Sequence, residues 1–475
     1  MTERRALAGA LAAALLWLGG CAHPIPFYER PAAPVGAAFP DATPPAAAGT
    51  VADETDWQHY FADERLKRLI GIALEDNRDL RVAVLAIEQT RALYRIRRAD
   101  ELPTVNLAAS ALRQPGAGGG MTGLYSVGAA VTAYELDFFG RVKSLSESAL
   151  AQFFATEEAR KTVQISLVAA VANAYLGLLA DDALLRVTEQ TLVTRQQSLD
   201  LTRLKFDNGV VSEVDVRQAE SLLETARVTL AQLTRQRALD RNALVLLLGR
   251  PLPSDLPPGL ALTDRQVTAE LLAGVPAEVL TRRPDVRQAE QQLIAANANI
   301  GAARAAFFPR ITLTGSAGIA SSDLTELFKD GSFAWTLAPQ LVLPIFDRGR
   351  NQANLDVAAV SRDIAVAQYE RTLQTAFREV ADALAGRGSL SDQLRAQTAQ
   401  EAAEQARVRL ADLRYRNGAA SYLELLDAQR SLFAAQQAVI QLQAQQTQNL
   451  VTLYKVLGGG WSASPAATAS ARLAP

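Results

Sequence analysis

Residues 413–429 read LRYRNGAASYLELLDAQ, and residues 201–220 read LTRLKFDNGVVSEVDVRQAE. In both, an Asn-Gly pair interrupts a long helical pattern, and a Ser follows three residues after the Gly. Asn-Gly tolerates positive φ, which suits a tight reversal between two antiparallel helices. The pattern therefore predicts a helical hairpin made twice. Asn208, Gly209 and Ser212 mark the first tip, and Asn417, Gly418 and Ser421 mark the second.

The echo extends through the chain. Leu248-Gly249 returns as Leu457-Gly458, and Ala219 as Ala428, both 209 residues on. DLRVAVLAIEQ from Asp79 pairs with DVRQAEQQLIA from Asp285, Pro103 with Pro309, and LDFFGR from Leu136 with LPIFDR from Leu343. The offset drifts by only three residues. Two tandem copies of one unit are expected, at 57–250 and 276–458, joined by a linker at 251–275. Each copy should run helix, strand, strand, long helix, helix. No Pro occurs between Pro115 and Pro251 or between Pro344 and Pro465. The stretch Arg141–Asp207 would span ~100 Å as one α-helix. Leu185, Leu192, Leu199 and Phe206 recur every seven residues, as do Val216, Leu223 and Leu230, a spacing of paired, supercoiled helices. A coiled-coil scaffold would explain these heptads equally well.

Four strands argue for more. ITLTGSAGI from Ile311 alternates apolar with small polar residues, and Phe333, Trp335, Leu337, Leu341 and Leu343 share one face of their segment. The first copy offers Val105, Leu107, Ala109 and Ala111, then Tyr125, Val127, Ala129, Val131 and Ala133. The expected strands are 104–112, 124–136, 311–319 and 333–343. Strands of this length with one apolar face fit a transmembrane barrel or a half-buried soluble sheet. As four strands cannot close a barrel, a membrane reading requires sharing between chains. QPGAGGGMTG, residues 114–123, reads as a flexible outer loop. The apolar segment 162–180 is nearly long enough to span a bilayer. Its twin from Thr372 carries Arg378, Glu379 and Asp382, which are costly in lipid, so both are expected in a protein wall.

The first 21 residues, MTERRALAGALAAALLWLGGC, have a basic start, a short apolar run and small residues before a Cys. This is the pattern of a secretory signal, residues 1–20. Leu18-Gly19-Gly20-Cys21 resembles a bacterial lipobox, in which Cys21 would become the acylated first residue, and Ala22 fits export to the outer membrane. That favours the membrane reading of the strands. The Ala- and Pro-rich residues after Cys21, within 21–56, suit an extended tether rather than a packed element. Residues 459–475 read as a flexible tail. The net charge of −2 gives no general pull toward nucleic acid. With two His and one Cys, most metal sites and Cys/His catalysis are not expected, and no nucleotide or nucleophile motif occurs. No enzyme, cofactor or metal is expected.

Signal, lipobox Cys, tandem copies and hairpin tips together resemble the TolC-like outer-membrane efflux family, in its lipoprotein (OprM- and NodT-like) branch. The resemblance runs from Trp57 to Gly458 and is closest in NGAASYLELLDAQRSLF. It implies an α+β membrane protein. Three chains would share a 12-stranded barrel, four strands from each, continued by a periplasmic α-helical barrel with two coiled-coil hairpins. It implies the passive exit duct of a tripartite pump for drugs or other small compounds. The partners would be a homotrimer, outer-membrane lipid, a periplasmic adaptor docking at the tips, and an inner-membrane transporter of the RND type. A metal-efflux or protein-secretion duct of the same family, and a structural coiled-coil protein spanning the periplasm, remain alternatives. By resemblance, Glu424 and Asp427 ring the closed inner mouth, and Tyr415 and Asp215 help to close it. Their i, i+3 spacing puts both acids on one helix face; an ordinary solvated face would have it too. The family's Arg two residues after the second tip Gly is Ala420 here, leaving Arg416 as the nearest substitute.

Overall fold

A computed structural model describes residues 25–36, 38–40, 55–115, 120–268, 271 and 277–461. The expected signal 1–20, Cys21, residues 22–24, 37 and 41–54 of the expected segment 21–56, the loop residues 116–119, residues 269, 270 and 272–275 of the expected linker 251–275, and the tail from 462 lie outside the described residues. The first half runs α1 (Trp57–Tyr60), α2 (Glu64–Asp76), α3 (Arg78–Ala99), β1 (Val105–Pro115), β2 (Met121–Glu135), α4 (Arg141–Asp207) and α5 (Glu213–Leu248). After a 3-10 turn at Ala277–Arg282, the second runs α6 (Pro284–Ala305), β3 (Arg310–Ser321), β4 (Phe333–Val342), α7 (Arg350–Arg416) and α8 (Tyr422–Val456). Helices α4 and α7 each have 67 residues without a break, as a Pro-free run permits.

The chain forms two compact units, and each draws on both halves. One comprises residues 1–33, 85–158 and 287–372, and holds the sheet; the other comprises 34–84, 159–286 and 373–475, and holds the hairpins.

The sheet is antiparallel throughout, in the order β1-β2-β3-β4. Its register gathers the apolar positions of all four strands on one face. Leu107 lies opposite Ala129, Ala129 opposite Ala317, and Ala317 opposite Trp335. The other face is small and polar, with Ser110 bonded to Ser126 and Ser316 to Thr336, each at 2.8 Å. Gly128 faces Gly318 there, and a Cβ on Gly128 would come within 2.5 Å of the Ala317 carbonyl. Leu107, Phe333, Trp335 and Leu337 are exposed in the single chain.

Three expectations need correction. Strand β2 carries a bulge between Val131 and Tyr134, with Ala133 at φ 52°. The extra residue reverses the alternation, so Tyr134, not Ala133, continues the apolar face opposite Leu313. Pairing in the first hairpin continues to Pro115 and Met121, so the strands take up much of the expected loop 114–123. Within the segment after Cys21, residues 25–30 are extended but packed. Arg30 donates to both Glu290 oxygens at 2.7 and 3.0 Å, Tyr28 donates to Glu290 at 3.0 Å, and Asn297 donates to the Pro26 carbonyl at 2.8 Å. The side chain of Glu290 is only 10% exposed, and a buried carboxylate requires such partners.

In the other unit, the apolar segment 162–180 is the middle of α4. Val168, Val171, Ala172 and Leu176 are buried against protein. Tyr60 stacks on Tyr454 at 4.0 Å, fixing α1 against the end of α8.

Candidate gate at the hairpin tips

Both tips end their first helix in the same way. At the first, the Gly209 N–H donates to the Phe206 carbonyl and the Val210 N–H to the Lys205 carbonyl, both at 2.8 Å. At the second, Gly418 donates to Tyr415 at 3.1 Å and Ala419 to Arg414 at 2.8 Å. Gly209 and Gly418 have φ of 72° and 71°, the left-handed conformation this closure needs. Asn208 and Asn417 each turn their amide back onto a carbonyl of the last turn, Leu204 and Leu413, at 2.7 Å.

The next helices start differently. Ser212 caps α5 in a complete capping box, in which Asp215 accepts from the Ser212 N–H at 2.9 Å and from its hydroxyl at 2.7 Å. Ser421 caps α8 by position but makes no side-chain capping bond. Its third residue on, Glu424, accepts instead from Arg414 at 2.6 Å, and Arg414 also donates to the Ala419 carbonyl at 3.3 Å. A serine cap is worth ~1 kcal/mol, and an exposed ion pair of this kind ~0.2–1 kcal/mol.

Leu199, Val216, Ala219 and Leu223 of the first hairpin pack with Ala411, Tyr422, Leu425, Leu426 and Ala428 of the second. Of the heptad positions, Leu192, Leu199, Val216 and Leu223 meet in this cluster; Leu185 and Leu230 are not part of it, and Phe206 at the tip is exposed. Tyr415 lies at the edge of this cluster, 5.2 Å from the Tyr422 ring, with the Lys205 ammonium 4.1 Å above it. Its hydroxyl is buried and has no hydrogen-bond partner among the described residues. The Tyr422 hydroxyl shares a hydrogen bond with Ser198 at 2.9 Å, tying the hairpins together.

Glu424 and Asp427 lie together on α8, each just over a third exposed. Asp427 accepts from Arg407 at 2.5 Å and Arg430 at 2.6 Å. Hydrogen bonds from Arg407 first, then Arg430, hold its carboxyl below the usual carboxylate range. The tips thus bring Tyr415, Glu424 and Asp427 into one region, while Asp215 is engaged at its own helix start. Arg416 pairs with Asp412 one turn back at 2.9 Å and, among the described residues, makes no tie between hairpins. Sequence reading missed Arg407, Arg414 and Lys205. The i, i+3 spacing of Asp427 and Arg430 was a readable signal for the fourth cation. Among the described residues, no group of His, Cys, Asp and Glu could hold a metal.

The model of the outer membrane efflux protein family matches residues 69–250 and 275–459. The chain belongs to that family. It is 48% identical over 461 residues to the probable efflux pump outer membrane protein TtgC of Pseudomonas putida, covering 95% of each chain. It is 44% identical over 455 residues to outer membrane protein OprJ of Pseudomonas aeruginosa, covering 94% of each. Among solved structures, the open state of the Neisseria gonorrhoeae MtrE outer membrane channel matches with a TM-score of 0.86 and 43% identity, over 92% of this chain and 98% of that one. CusC matches at 0.84 and 40%, over 92% and 99%. The protein is an outer-membrane channel component of an efflux pump and not an enzyme.

Proposed function

We infer that three copies close a 12-stranded barrel in the outer membrane and form the exit duct of a tripartite pump. The open-edged sheet carries this reading. Strands β1 and β4 each lack a neighbour on one side among the described residues, and the sheet's apolar face is exposed. Unpaired edge groups cannot persist in hydrocarbon, so each β1 must pair with the β4 of another copy. In this arrangement Cys21 is acylated and adds an anchor, while the barrel inserts without it. A periplasmic adaptor docks around Asn208, Gly209, Ser212, Asn417, Gly418 and Ser421, and an RND-type transporter supplies the energy. Relatives are called antibiotic, toluene and solvent efflux pump proteins. Drugs and small lipophilic compounds are accordingly the substrates we assign.

The inner mouth lies at the second tip, where three copies of Glu424 and Asp427 surround one axis and set a cation preference. Tyr415 and Asp215 contribute to closure. Detergent-corrected mass measurement tests the assembly: a particle of three chains is expected, and a monomer contradicts it. Mass spectrometry of the mature N-terminus should find an acylated Cys21; an unmodified Cys21 or cleavage elsewhere sinks the anchor.

A further inference from the structure

We propose that Arg414 is the positioning residue of the mouth: it keeps the Glu424 carboxylate off the start of α8 and so available to the pore. This rests on the reading of Glu424 as a mouth residue. The observation behind it is an internal comparison. Glu424 and Asp215 occupy the same place, 209 residues apart, each three residues after an N-cap serine. Ser421-Tyr422-Leu423-Glu424 matches the S/T-x-x-E capping box more closely than Ser212-Glu213-Val214-Asp215 does. Yet the box forms at Ser212 and not at Ser421.

The difference lies in the basic residue of the preceding turn. In the first hairpin it is Lys205, whose single ammonium lies over the Tyr415 ring of the second hairpin and leaves Asp215 to its serine. In the second it is Arg414. Its planar fork serves two acceptors at once, Glu424 and the Ala419 carbonyl, and so braces the tip. Without the guanidinium, the Ser421 N–H, the capping-box donor three residues back, is open to Glu424. The carboxylate then turns from the mouth to the helix start.

The test uses the full-length protein with Arg414→Ala, Arg414→Lys, Glu424→Ala and the Arg414→Ala/Glu424→Ala double. Two quantities are read: hydrogen exchange of the Ser421 amide, by mass spectrometry with electron-transfer fragmentation, and cation-over-anion permeability in planar bilayers. Arg414→Ala should slow Ser421 exchange about tenfold, and the double variant should lose that protection. Its permeability ratio should fall to the Glu424→Ala value, with no further loss in the double. Arg414→Lys should recover part of the ratio. Unchanged or faster Ser421 exchange in Arg414→Ala overturns the proposal. A rise in cation preference also overturns it, since Arg414 would then only mask the acid. If Glu424→Ala alone leaves permeability unaltered while Arg414→Ala slows exchange, the mouth reading fails and the role of Arg414 in holding Glu424 stands.

Discussion

KFDNGVVSEVD at residues 205–215 and RYRNGAASYLE at 414–424 fold into the same turn and wire their charges differently. The backbone closure is shared because the Asn-Gly and Ser positions are shared. The side-chain connections diverge because single residues differ: Lys205 against Arg414, Phe206 against Tyr415, Asp215 against Glu424. The charge balance diverges as well. Residues 195–221 hold five carboxylates and four cations, whereas the matching residues 404–430 hold four carboxylates and five cations. The hairpin that carries the candidate gate acids is thus the more basic one. Its behaviour depends on which cation holds which acid, not on the number of acids.

The comparison breaks most sharply at Tyr422 and its twin Glu213. Tyr422 is buried in the cluster joining the hairpins, and Glu213 is exposed. Tyr422→Ala should destabilise the tips by ~3–5 kcal/mol, and Glu213→Ala by less than about 0.5 kcal/mol. Denaturant midpoints and proteolysis at the tips would separate them; equal losses would refute the asymmetry. A smaller contrast is expected at the caps. Ser212→Ala should cost ~1 kcal/mol and Ser421→Ala only a few tenths, read as faster amide exchange in the first turn of α5 but not of α8.

A third contrast lies in the helix pair behind the tips. Asp181, on α4, is buried, and its carboxyl is pushed up to about 7 by that burial and by the hydrogen bond and negative charge of Asp240. The corresponding residues of the second copy are Leu390 and Asn449, which cannot titrate this way. A carboxyl raised on folding favours the folded state at low pH. That contribution is complete below the unfolded value of about 3.9 and is lost as pH rises through about 7. Asp181→Asn should flatten the loss of stability between pH 5 and pH 8, raising the apparent melting temperature at pH 8 by about 2 °C. A pH profile identical to wild type would refute the assignment.

Much of the backbone was legible in the sequence because it depends on local signals. The run from Arg141 to Asp207 has no Pro and folds as one helix, and each Asn-Gly marks a turn. The apolar faces of the strands could be read by alternation as far as Val131. Beyond it they could not, because the bulge is set by pairing with β3 across 180 residues of chain. The docking of Ile25–Arg30 depends on Glu290, a partner 260 residues away that no local pattern reveals. At the candidate gate, the acids and Tyr415 were proposed through resemblance, and their partners were not legible. Arg407 reaches Asp427 only because α7 and α8 fold back on each other. The serine-acid spacing of Ser212 and Asp215 was a visible capping box, and the resemblance that assigned Asp215 to closure did not reveal it.

Single-channel recording in planar bilayers tests the central claim most directly, comparing wild type, Glu424→Ala/Asp427→Ala and Asp215→Ala. The proposed reading puts the two second-tip acids at the mouth of a trimeric duct, where like charges from three chains would converge and be poorly screened. The double variant should lose cation selectivity and block by multivalent cations while remaining a trimer. Asp215→Ala should raise resting conductance and leave selectivity unchanged. A double variant with wild-type selectivity and wild-type cation block would contradict the account and place the gate elsewhere in the duct.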